Sequence, residues 1–308
     1  MKFPRAKGER RRKLTLKGAE RRAALIFLLP YIIGFSAFIL IPFTVSFILI
    51  FMEYDVFSPP RFIGMANLTR MVYDPNFWHT WRVTGIYAVI GIVYTQLLGL
   101  AVALILYNVK RVTRLWRAIY YLPAMLAGTA ATMVQGAVWA KDGMVNAVLR
   151  RIGIQGPAWL QDAHWALPAL ILMGYWTIGN MVLIFLAGRS NVPRELYEVA
   201  QIDGAGAWQT FRKITLPMMT PVILFNLILG VIGALQSFTQ VYILTQGGPA
   251  GATRLVVLYL YYQAFEYFRL GYASSLAWSL LAVTMILSLL LLMTSNRWVY
   301  YETGGKGW

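Results

Sequence analysis

Hydrophobic residues in this chain form long continuous runs that are separated by short polar segments. A helix needs roughly 20 largely apolar residues to cross the hydrocarbon core of a bilayer, whereas the strands of a membrane barrel would show period-two alternation. The runs therefore predict an all-α membrane protein. Six membrane-spanning helices are predicted, approximately at residues 23–52, 83–107, 119–140, 165–187, 218–245 and 272–294.

The first of these runs is long, but it contains Pro30 and Pro42. Proline interrupts the helical hydrogen-bond ladder, so we expect this run to tilt, kink or begin as a turn at the membrane interface. Its length is therefore counted as one span.

Composition and charge agree with an integral membrane protein. Of the 308 residues, 58% are hydrophobic and only 13% are charged, which is too apolar for a soluble fold. The formal charge of +16 points to membrane orientation rather than nucleic acid, because 20 of the 28 lysines and arginines fall on one side of the six predicted spans. The positive-inside rule makes that side cytoplasmic, and both termini lie there. The basic run at residues 10–13 is interpreted as a topology determinant that also touches anionic headgroups, with lipid or nucleic-acid binding as the alternative.

This pattern divides the chain into three parts. Residues 1–22 form a basic cytoplasmic segment, residues 23–294 a transmembrane domain, and residues 295–308 a cytoplasmic tail. A polar cytoplasmic loop at residues 188–217 lies within the domain. The first apolar run is much longer than the roughly 7–15 residues of a signal-peptide core, so it is interpreted as a retained span.

Several kinds of chemistry find no support in the sequence. There is no cysteine, and the two histidines, His79 and His164, have no neighbouring metal ligands. No phosphate-binding loop is present, so any ATP used in the protein's function is bound by another polypeptide. The predicted spans carry essentially no charge away from their ends, which argues against proton-coupled or sodium-coupled carriers and cation channels.

The polar groups inside the spans are neutral hydroxyls and amides, which suit an uncharged sugar or polyol. They are densest at residues 236–240, where five residues cover more than one helical turn and are expected to face several directions. The same residue types also join transmembrane helices to one another, so helix packing stays open as an alternative for each of them.

The polar loop predicts two short helices. Pro193 suits the first helical position, and Glu195 and Glu198 lie in the early turns, where the helix dipole favours negative charge. Gly204 is expected to end this helix in a left-handed conformation. A second amphipathic piece, with Trp208 among its apolar residues, is expected to end at Pro217. An interfacial hairpin whose aromatic residues dip into the headgroups is the alternative interpretation.

The loop resembles the EAA loop of the membrane subunits of binding-protein-dependent ABC importers, whose pattern is E-A-A, three residues, G, nine residues, I-x-L-P. The matching positions are Glu198, Val199, Ala200, Gly204, Ile214, Leu216 and Pro217, with Val199 in place of the usual alanine. Further stretches resemble the carbohydrate branch, which includes the maltose and glycerol-phosphate permeases; they are residues 28–30, 121–123, 195–198, 244–249 and 271–275.

The resemblance implies the type I importer fold and a complex in which separate subunits bind ATP, span the membrane and bind the sugar. In such importers the EAA loop forms a coupling helix that sits in a cleft of an ATPase subunit. Glu198 would pair with a basic group there, and Ala200, Asp203, Gly204 and Ala205 would insert. The implied partners are a dimer of ATPase subunits that binds ATP and Mg²⁺, a second homologous permease, an extracytoplasmic sugar-binding protein and the lipid bilayer. The chain itself would hold no cofactor and no catalytic residue, and it would lie in a bacterial or archaeal plasma membrane.

The resemblance also implies a substrate pathway. Positions that correspond to sugar-contacting residues are Trp176, Thr177, Gly233, Ala234 and Ser237, although Gly233 and Ala234 lack the aromatic and amide groups expected there. Chemistry adds Asn180, Gln236 and Trp278 as nearby alternatives. Residues 53–82, 141–164 and 246–271 are the candidate surfaces for a docked binding protein.

Two alternatives stay open. A permease for a phosphorylated polyol such as glycerol 3-phosphate would need cationic groups facing the pathway, and the sequence offers none in mid-span. An integral membrane enzyme could use Glu195, Glu198 and Asp203 as catalytic carboxylates, but no histidine, lysine or further aspartate clusters with them.

Overall fold

The computed structural model describes residues 9–108 and 128–300. This part of the chain is helical apart from one antiparallel pair of short strands, Met52–Glu53 and Arg61–Phe62. The α-helices are Glu9–Phe35, Ile41–Leu49, Ala66–Tyr73, Pro75–Asn108, Gly128–Val138, Met144–Arg151, Ala166–Leu172, Gly179–Ser190, Arg194–Ile202, Ala207–Thr210, Leu216–Leu235, Thr239–Leu244, Val256–Tyr261 and Leu270–Ser295. Tighter or wider turns occur at Met173–Thr177, a 3₁₀-helix, and at Ser36–Leu40, Phe211–Thr215 and Tyr262–Glu266, which are π-helical.

Four helical stretches are long and apolar enough to cross a membrane: Ala23–Leu49, Pro75–Asn108, Ala207–Leu244 and Leu270–Ser295. A fifth crossing is possible if the bent pair Ala166–Thr177 and Gly179–Ser190 counts as one span. These stretches correspond to five of the six spans predicted from the sequence. The third predicted span, residues 119–140, lies partly outside the described residues, and its described part includes the helix Gly128–Val138. The count of six spans and the cytoplasmic termini stay predictions.

Two prolines are accommodated by wide helical turns. The π-helical turn Ser36–Leu40 directly precedes the helix that holds Pro42, and the π-helical turn Phe211–Thr215 directly precedes the helix that holds Pro217. A proline ring cannot donate a hydrogen bond and collides with the carbonyl four residues earlier, and one extra residue in the preceding turn relieves that collision. The expectation that Pro217 ends the second helix of the loop is wrong, because the helix continues through it.

Two spans are interrupted within their length. The Ala166–Thr177 and Gly179–Ser190 pair bends by 52° after the 3₁₀ turn Met173–Thr177. The Leu216–Leu235 helix ends at Gln236, and a new helix starts at Thr239. Backbone that leaves the helical pattern at membrane depth needs protein or a water-filled cavity beside it, since lipid cannot satisfy its polar groups.

Two apolar clusters hold the helices together at different levels. One surrounds Leu170, Met173, Val241 and Leu258, beside the interrupted helices. The other joins Ala103 on the Pro75–Asn108 helix to the Gly179–Ser190 and Leu216–Leu235 helices, and its buried members include Val182, Phe185 and Met219. The interrupted spans are therefore fixed on both sides of their breaks.

Gly271 marks a close contact between the first and last spans. A β-carbon there would overlap the carbonyl oxygen of Met52 and lie 3.1 Å from that of Leu49. Asn67 ties the same chain segment to the Ala66–Tyr73 helix by donating to the carbonyl oxygens of Ile50 and Met52, at 2.9 Å each. Backbone atoms cannot move aside as a flexible side chain would, so the approach depends on glycine.

Gly271→Ala should destabilise the protein by about 1–3 kcal/mol or more, because overpacking forces the two spans apart. The measurement is the midpoint of thermal denaturation in detergent. The control is Gly85→Ala, a helical glycine with no heavy atom within 4 Å of the added carbon. Equal midpoints for the two variants would contradict the close contact.

Candidate functional site

A cavity of about 660 Å³ lies between the two interrupted spans and the neighbouring helices. Its wall combines small residues, aromatic rings and neutral polar groups. The lining residues are Tyr87, Gly91, Ile92, Thr95, Gly128, Ala131, Thr132, Gln135, Ile171, Met173, Gly174, Trp176, Thr177, Ile178, Asn180, Met181, Gly230, Gly233, Ala234, Gln236, Ser237, Phe238, Thr239 and Gln240.

The break at Gln236 turns one polar stretch of the chain toward the cavity. All five residues from Gln236 to Gln240 line it. A regular helix would have spread them over several directions, as the sequence predicts, but the chain leaves the helix after Gln236 and resumes only at Thr239. The residues from Gln236 to Gln240 therefore all contribute to one surface, the wall of the cavity.

The bend in the other span brings a second set of predicted residues to the same cavity. Trp176 and Thr177 belong to the 3₁₀ turn, and Asn180 lies in the first turn of the helix Gly179–Ser190 beyond it. The indole nitrogen Nε1 of Trp176 is buried and has no hydrogen-bond partner among the described residues. Buried donors usually have a partner, so an unpaired indole N–H on a residue of the cavity wall is unusual.

Gly233 and Ala234 also line the cavity, and neither has a large side chain that projects into it. No heavy atom lies within 4 Å of the position that a β-carbon at Gly233 would take. The missing side chain at Gly233 therefore leaves open space, whereas Ala234 packs against the cluster formed by Ala88, Val231 and Leu235.

Hydrogen bonds connect the cavity wall across helices. The amide Nε2 of Gln240 donates to Oε1 of Gln135 at 3.1 Å, and the hydroxyls of Tyr87 and Ser237 lie 3.3 Å apart. Gln135 is buried, so its amide contributes to helix packing as well as to the lining. None of the described lining residues is Asp, Glu, Lys, Arg or His.

Trp278 is not among the residues that line this cavity. Its ring packs against Phe43 and Phe47 of the first span, with ring centroids 4.7 and 4.8 Å away. Its Nε1 donates to the hydroxyl of Ser46 at 3.2 Å. Trp278 thus fastens the last span to the first.

The polar loop, residues 188–217, contains a second candidate site. Its first helix, Arg194–Ile202, ends as predicted at Gly204, whose φ is +72°. The N–H of Ala205 donates to the carbonyl of Ala200 at 2.9 Å, and that of Gly204 donates to the carbonyl of Gln201 at 3.2 Å. These two bonds form a Schellman motif, which requires the left-handed conformation that glycine adopts without strain.

Aromatic and polar contacts fix the loop to the spans. The guanidinium of Arg189 lies between two rings, 4.1 Å from the centroid of Tyr107 and 4.2 Å from that of Tyr197. The hydroxyl of Tyr197 is 3.0 Å from that of Thr215. A cation stacked between two rings and a hydrogen bond to the next helix leave the loop little freedom to rotate.

The outer face of the loop is apolar and exposed. Ile202 is 84% exposed, Trp208 69% and Val199 55%, and the carboxylates of Glu195, Glu198 and Asp203 are exposed beside them. Exposed apolar residues grouped on one rigid element mark a surface for another protein or for the membrane interface. Ile202 was missed in the sequence, although its position next to the turn at Asp203 and Gly204 was a signal.

Four other predicted loop residues pack against this chain. Ala200 is buried within it, and its insertion into a partner stays a prediction. Ile214 packs in the cluster around Met219, and Leu216 and Pro217 are half-buried. These residues join the loop to the span, while Gly204 and the half-buried Ala205 lie nearer its tip.

The spans, the cavity and the loop define a multi-span membrane permease. The model of the family "Binding-protein-dependent transport system inner membrane component" matches residues 95–301. The chain belongs to this family, and its relatives are ABC transporter permease subunits, which are transport components rather than enzymes.

Similar proteins cover nearly the whole chain. The probable ABC transporter permease protein YesP of Bacillus subtilis is 40% identical over 91% of this chain and 93% of its own length. The lactose transport system permease protein LacF of Rhizobium radiobacter is 34% identical over 86% and 91%, respectively. A solved bacterial ABC transporter involved in the import of the acidic polysaccharide alginate shares the fold, with a TM-score of 0.79 and 23% identity over 92% of this chain and 99% of that one.

Proposed function

We propose that this chain is the transmembrane permease subunit of an ABC importer that carries a sugar or oligosaccharide across a bacterial or archaeal plasma membrane. The observation that carries the proposal is the cavity between two interrupted spans. Its aromatic rings offer flat apolar faces, and its amides and hydroxyls offer hydrogen bonds, which together suit the two kinds of surface on a sugar.

The lining favours an uncharged substrate. A phosphorylated polyol would need a cationic group in the cavity, and the described lining residues include no Lys, Arg or His. The similarity to the lactose permease supports a sugar as well. Seven of the eight predicted pathway residues line the cavity, and we assign them to substrate contact: Trp176, Thr177, Asn180, Gly233, Ala234, Gln236 and Ser237.

The loop is proposed to couple transport to ATP hydrolysis on a dimer of partner ATPase subunits, which would bind ATP and Mg²⁺. Ile202, Val199 and Trp208 would enter an apolar cleft, and Glu198 would pair with a basic group at its rim. The Ala207–Leu244 helical stretch of 38 residues supports this placement. Its uninterrupted part, from Ala207 to Leu235, is about 44 Å long at 1.5 Å per residue, beyond the roughly 30 Å hydrocarbon core, so at least one of its ends lies outside the core. In the proposed orientation that end would be the one with Trp208.

Two further partners are proposed. A second homologous permease would cover part of the first span, since none of the residues in the most apolar window of Ala23–Leu49 is buried within this chain. A sugar-binding protein would dock on the extracytoplasmic side and release the substrate into the cavity. A solved alginate transporter of the same fold has been captured with a substrate-bound periplasmic protein, which supports this arrangement.

Glu198→Lys should weaken association with the ATPase about tenfold, because it replaces an attraction at the cleft with a repulsion. The measurement is the amount of ATPase that co-purifies with the permease in detergent. Glu266→Lys is the control, since Glu266 is also exposed and lies outside the loop. Equal recovery of the ATPase with both variants would contradict the ion pair.

The proposed function is tested by ATP hydrolysis of the reconstituted complex. We expect the binding protein with its bound oligosaccharide to raise the rate above that with the empty binding protein. A rate that is unaffected by every sugar-loaded form of the binding protein would contradict sugar import.

A further inference from the structure

A second pocket, of about 450 Å³, lies at the opposite end of the Pro75–Asn108 helix from the polar loop. It is called the arginine pocket here. Its described lining consists of polar or aromatic residues without a single aliphatic side chain: Arg70, Tyr73, Asp74, Asn76, Arg254, Tyr259, Gln263, Tyr267 and Arg269. The helix of 34 residues is about 51 Å long, so its two ends cannot both lie within the hydrocarbon core.

The arginine pocket carries uncompensated positive charge. Its single carboxylate, Asp74, accepts hydrogen bonds from the hydroxyls of Tyr259 and Tyr272, the latter at 2.6 Å. Burial works to raise the pKa of Asp74, but these bonds and one from the backbone of Asn76 outweigh it, so the pKa lies below its ordinary value and the group is ionised. Within the described residues, Asp74 forms no salt bridge with an arginine.

Two buried groups in the pocket lack partners. Gln263 is 5% exposed, and its Oε1 has no hydrogen-bond partner among the described residues. The same holds for the buried Nε of Arg254. The unpaired oxygen of Gln263 is an acceptor and calls for a donor such as an ordered water molecule, whereas the unpaired Nε–H of Arg254 is a donor that calls for an acceptor. The guanidinium groups of Arg70 and Arg269 lie over the rings of Tyr272 and Tyr267, with 4.7 and 5.9 Å to the ring centroids. Arg254 is therefore the arginine of the pocket that has an unpaired donor to offer a carboxylate.

We propose that the arginine pocket receives a carboxylate side chain of the docked binding protein. The inference rests on the proposed function, because it requires an importer with a binding protein and the orientation in which this pocket faces outward. Arg70 and Arg254 come from two of the outer segments that the sequence marks as docking surfaces. An anionic lipid is the poorer occupant, because the described walls give its acyl chains no aliphatic surface.

The experiment measures ATP hydrolysis by the reconstituted complex against the concentration of sugar-loaded binding protein. Arg254→Gln should raise the concentration for half-maximal stimulation about tenfold or more, since an interfacial carboxylate would lose its buried partner. Arg254→Lys keeps the positive charge but loses the paired N–H donors of the guanidinium group, so it should raise the half-maximal concentration less. Arg297→Gln, an equal loss of charge at an exposed site outside the pocket, should leave the concentration unchanged. Hydrolysis without binding protein reports that each variant is folded and assembled.

The outcomes separate this inference from the proposed function. Stimulation of the wild type with equal half-maximal concentrations for Arg254→Gln and Arg297→Gln would overturn the arginine pocket as a docking site and leave the importer intact. An effect of Arg254→Gln that vanishes in vesicles of zwitterionic lipid alone would overturn it in favour of a lipid headgroup. No stimulation of the wild type at all would contradict the proposed function and this inference with it.

Discussion

Gly204→Ala should lower transport about tenfold while the complex stays assembled. The residue holds a φ of +72°, and within residues 9–108 and 128–300 no heavy atom outside its immediate neighbours lies within 4 Å of an added β-carbon. The cost within the chain is therefore that of the left-handed backbone, about 1–2 kcal/mol, which lowers the equilibrium constant for forming the native turn about 5–30-fold. The measurement is ATP-driven sugar uptake by reconstituted vesicles, divided by the ATP hydrolysed.

Two further variants separate the backbone from the docking surface. Gly206→Ala is the matched control, because Gly206 lies next to the same turn in an extended conformation with free space around it. Gly204→Asn tolerates the left-handed conformation but adds bulk. If the variant with asparagine transports normally while that with alanine does not, the backbone turn is what matters. Normal uptake by Gly204→Ala would refute the role of the turn in coupling.

Trp176→Ala should reduce sugar-stimulated ATP hydrolysis at least about tenfold, because a large ring face and a buried donor are both lost from the cavity. Trp176→Phe keeps most of the ring and removes only the N–H, so a decrease of about fivefold, near 1 kcal/mol, is expected. The measurement is the rate at saturating binding protein that carries the sugar.

Substitutions at Ser237 and Trp278 complete this comparison of sugar-stimulated ATP hydrolysis rates. Ser237→Ala should lower the same rate to a smaller extent, since it removes one hydroxyl from the wall and the partner of Tyr87. Trp278→Phe is the control for losing an indole N–H within the membrane, because Trp278 contacts the first span instead of the cavity. Equal rates for Trp176→Ala and the wild type would move the substrate path away from this cavity.

The class of fold and the loop could be predicted because both depend on short-range signals. An apolar run of sufficient length specifies a span whatever its neighbours are. The stop at Gly204 depends only on the freedom of glycine near the end of an amphipathic helix. The Schellman hydrogen bonds to Ala200 and Gln201 confirm that reasoning.

The breaks in the spans could not be predicted in the same way. A span that is apolar on every side has little periodicity, so the sequence does not show where Met173–Thr177 tightens or where the helix stops at Gln236. The sequence also did not show that Trp278 packs against the first span, because an aromatic residue suits a sugar site and a packed interface equally well. Its place was decided by Phe43 and Phe47, more than 200 positions earlier in the sequence.

Ala200 and Ile202 show what the sequence cannot predict within the loop itself. Both residues are apolar and lie on the helix Arg194–Ile202. Only the packing of the loop against the spans decides that Ala200 is buried and Ile202 is exposed. That packing is directed by Tyr197 and Arg189, whose contacts lie on separate helices. The exposed apolar face of the loop was therefore visible only in the structure.

The central claim is tested most directly by sugar accumulation in vesicles that contain the permease with its partner permease and ATPase. The vesicles enclose ATP and Mg²⁺, and the sugar-loaded binding protein is added outside. We expect labelled oligosaccharide to accumulate inside above its external concentration, and to stop doing so when ATP is omitted. Entry at the same rate without ATP, or no entry of any sugar that the binding protein carries, would contradict an ATP-coupled sugar permease.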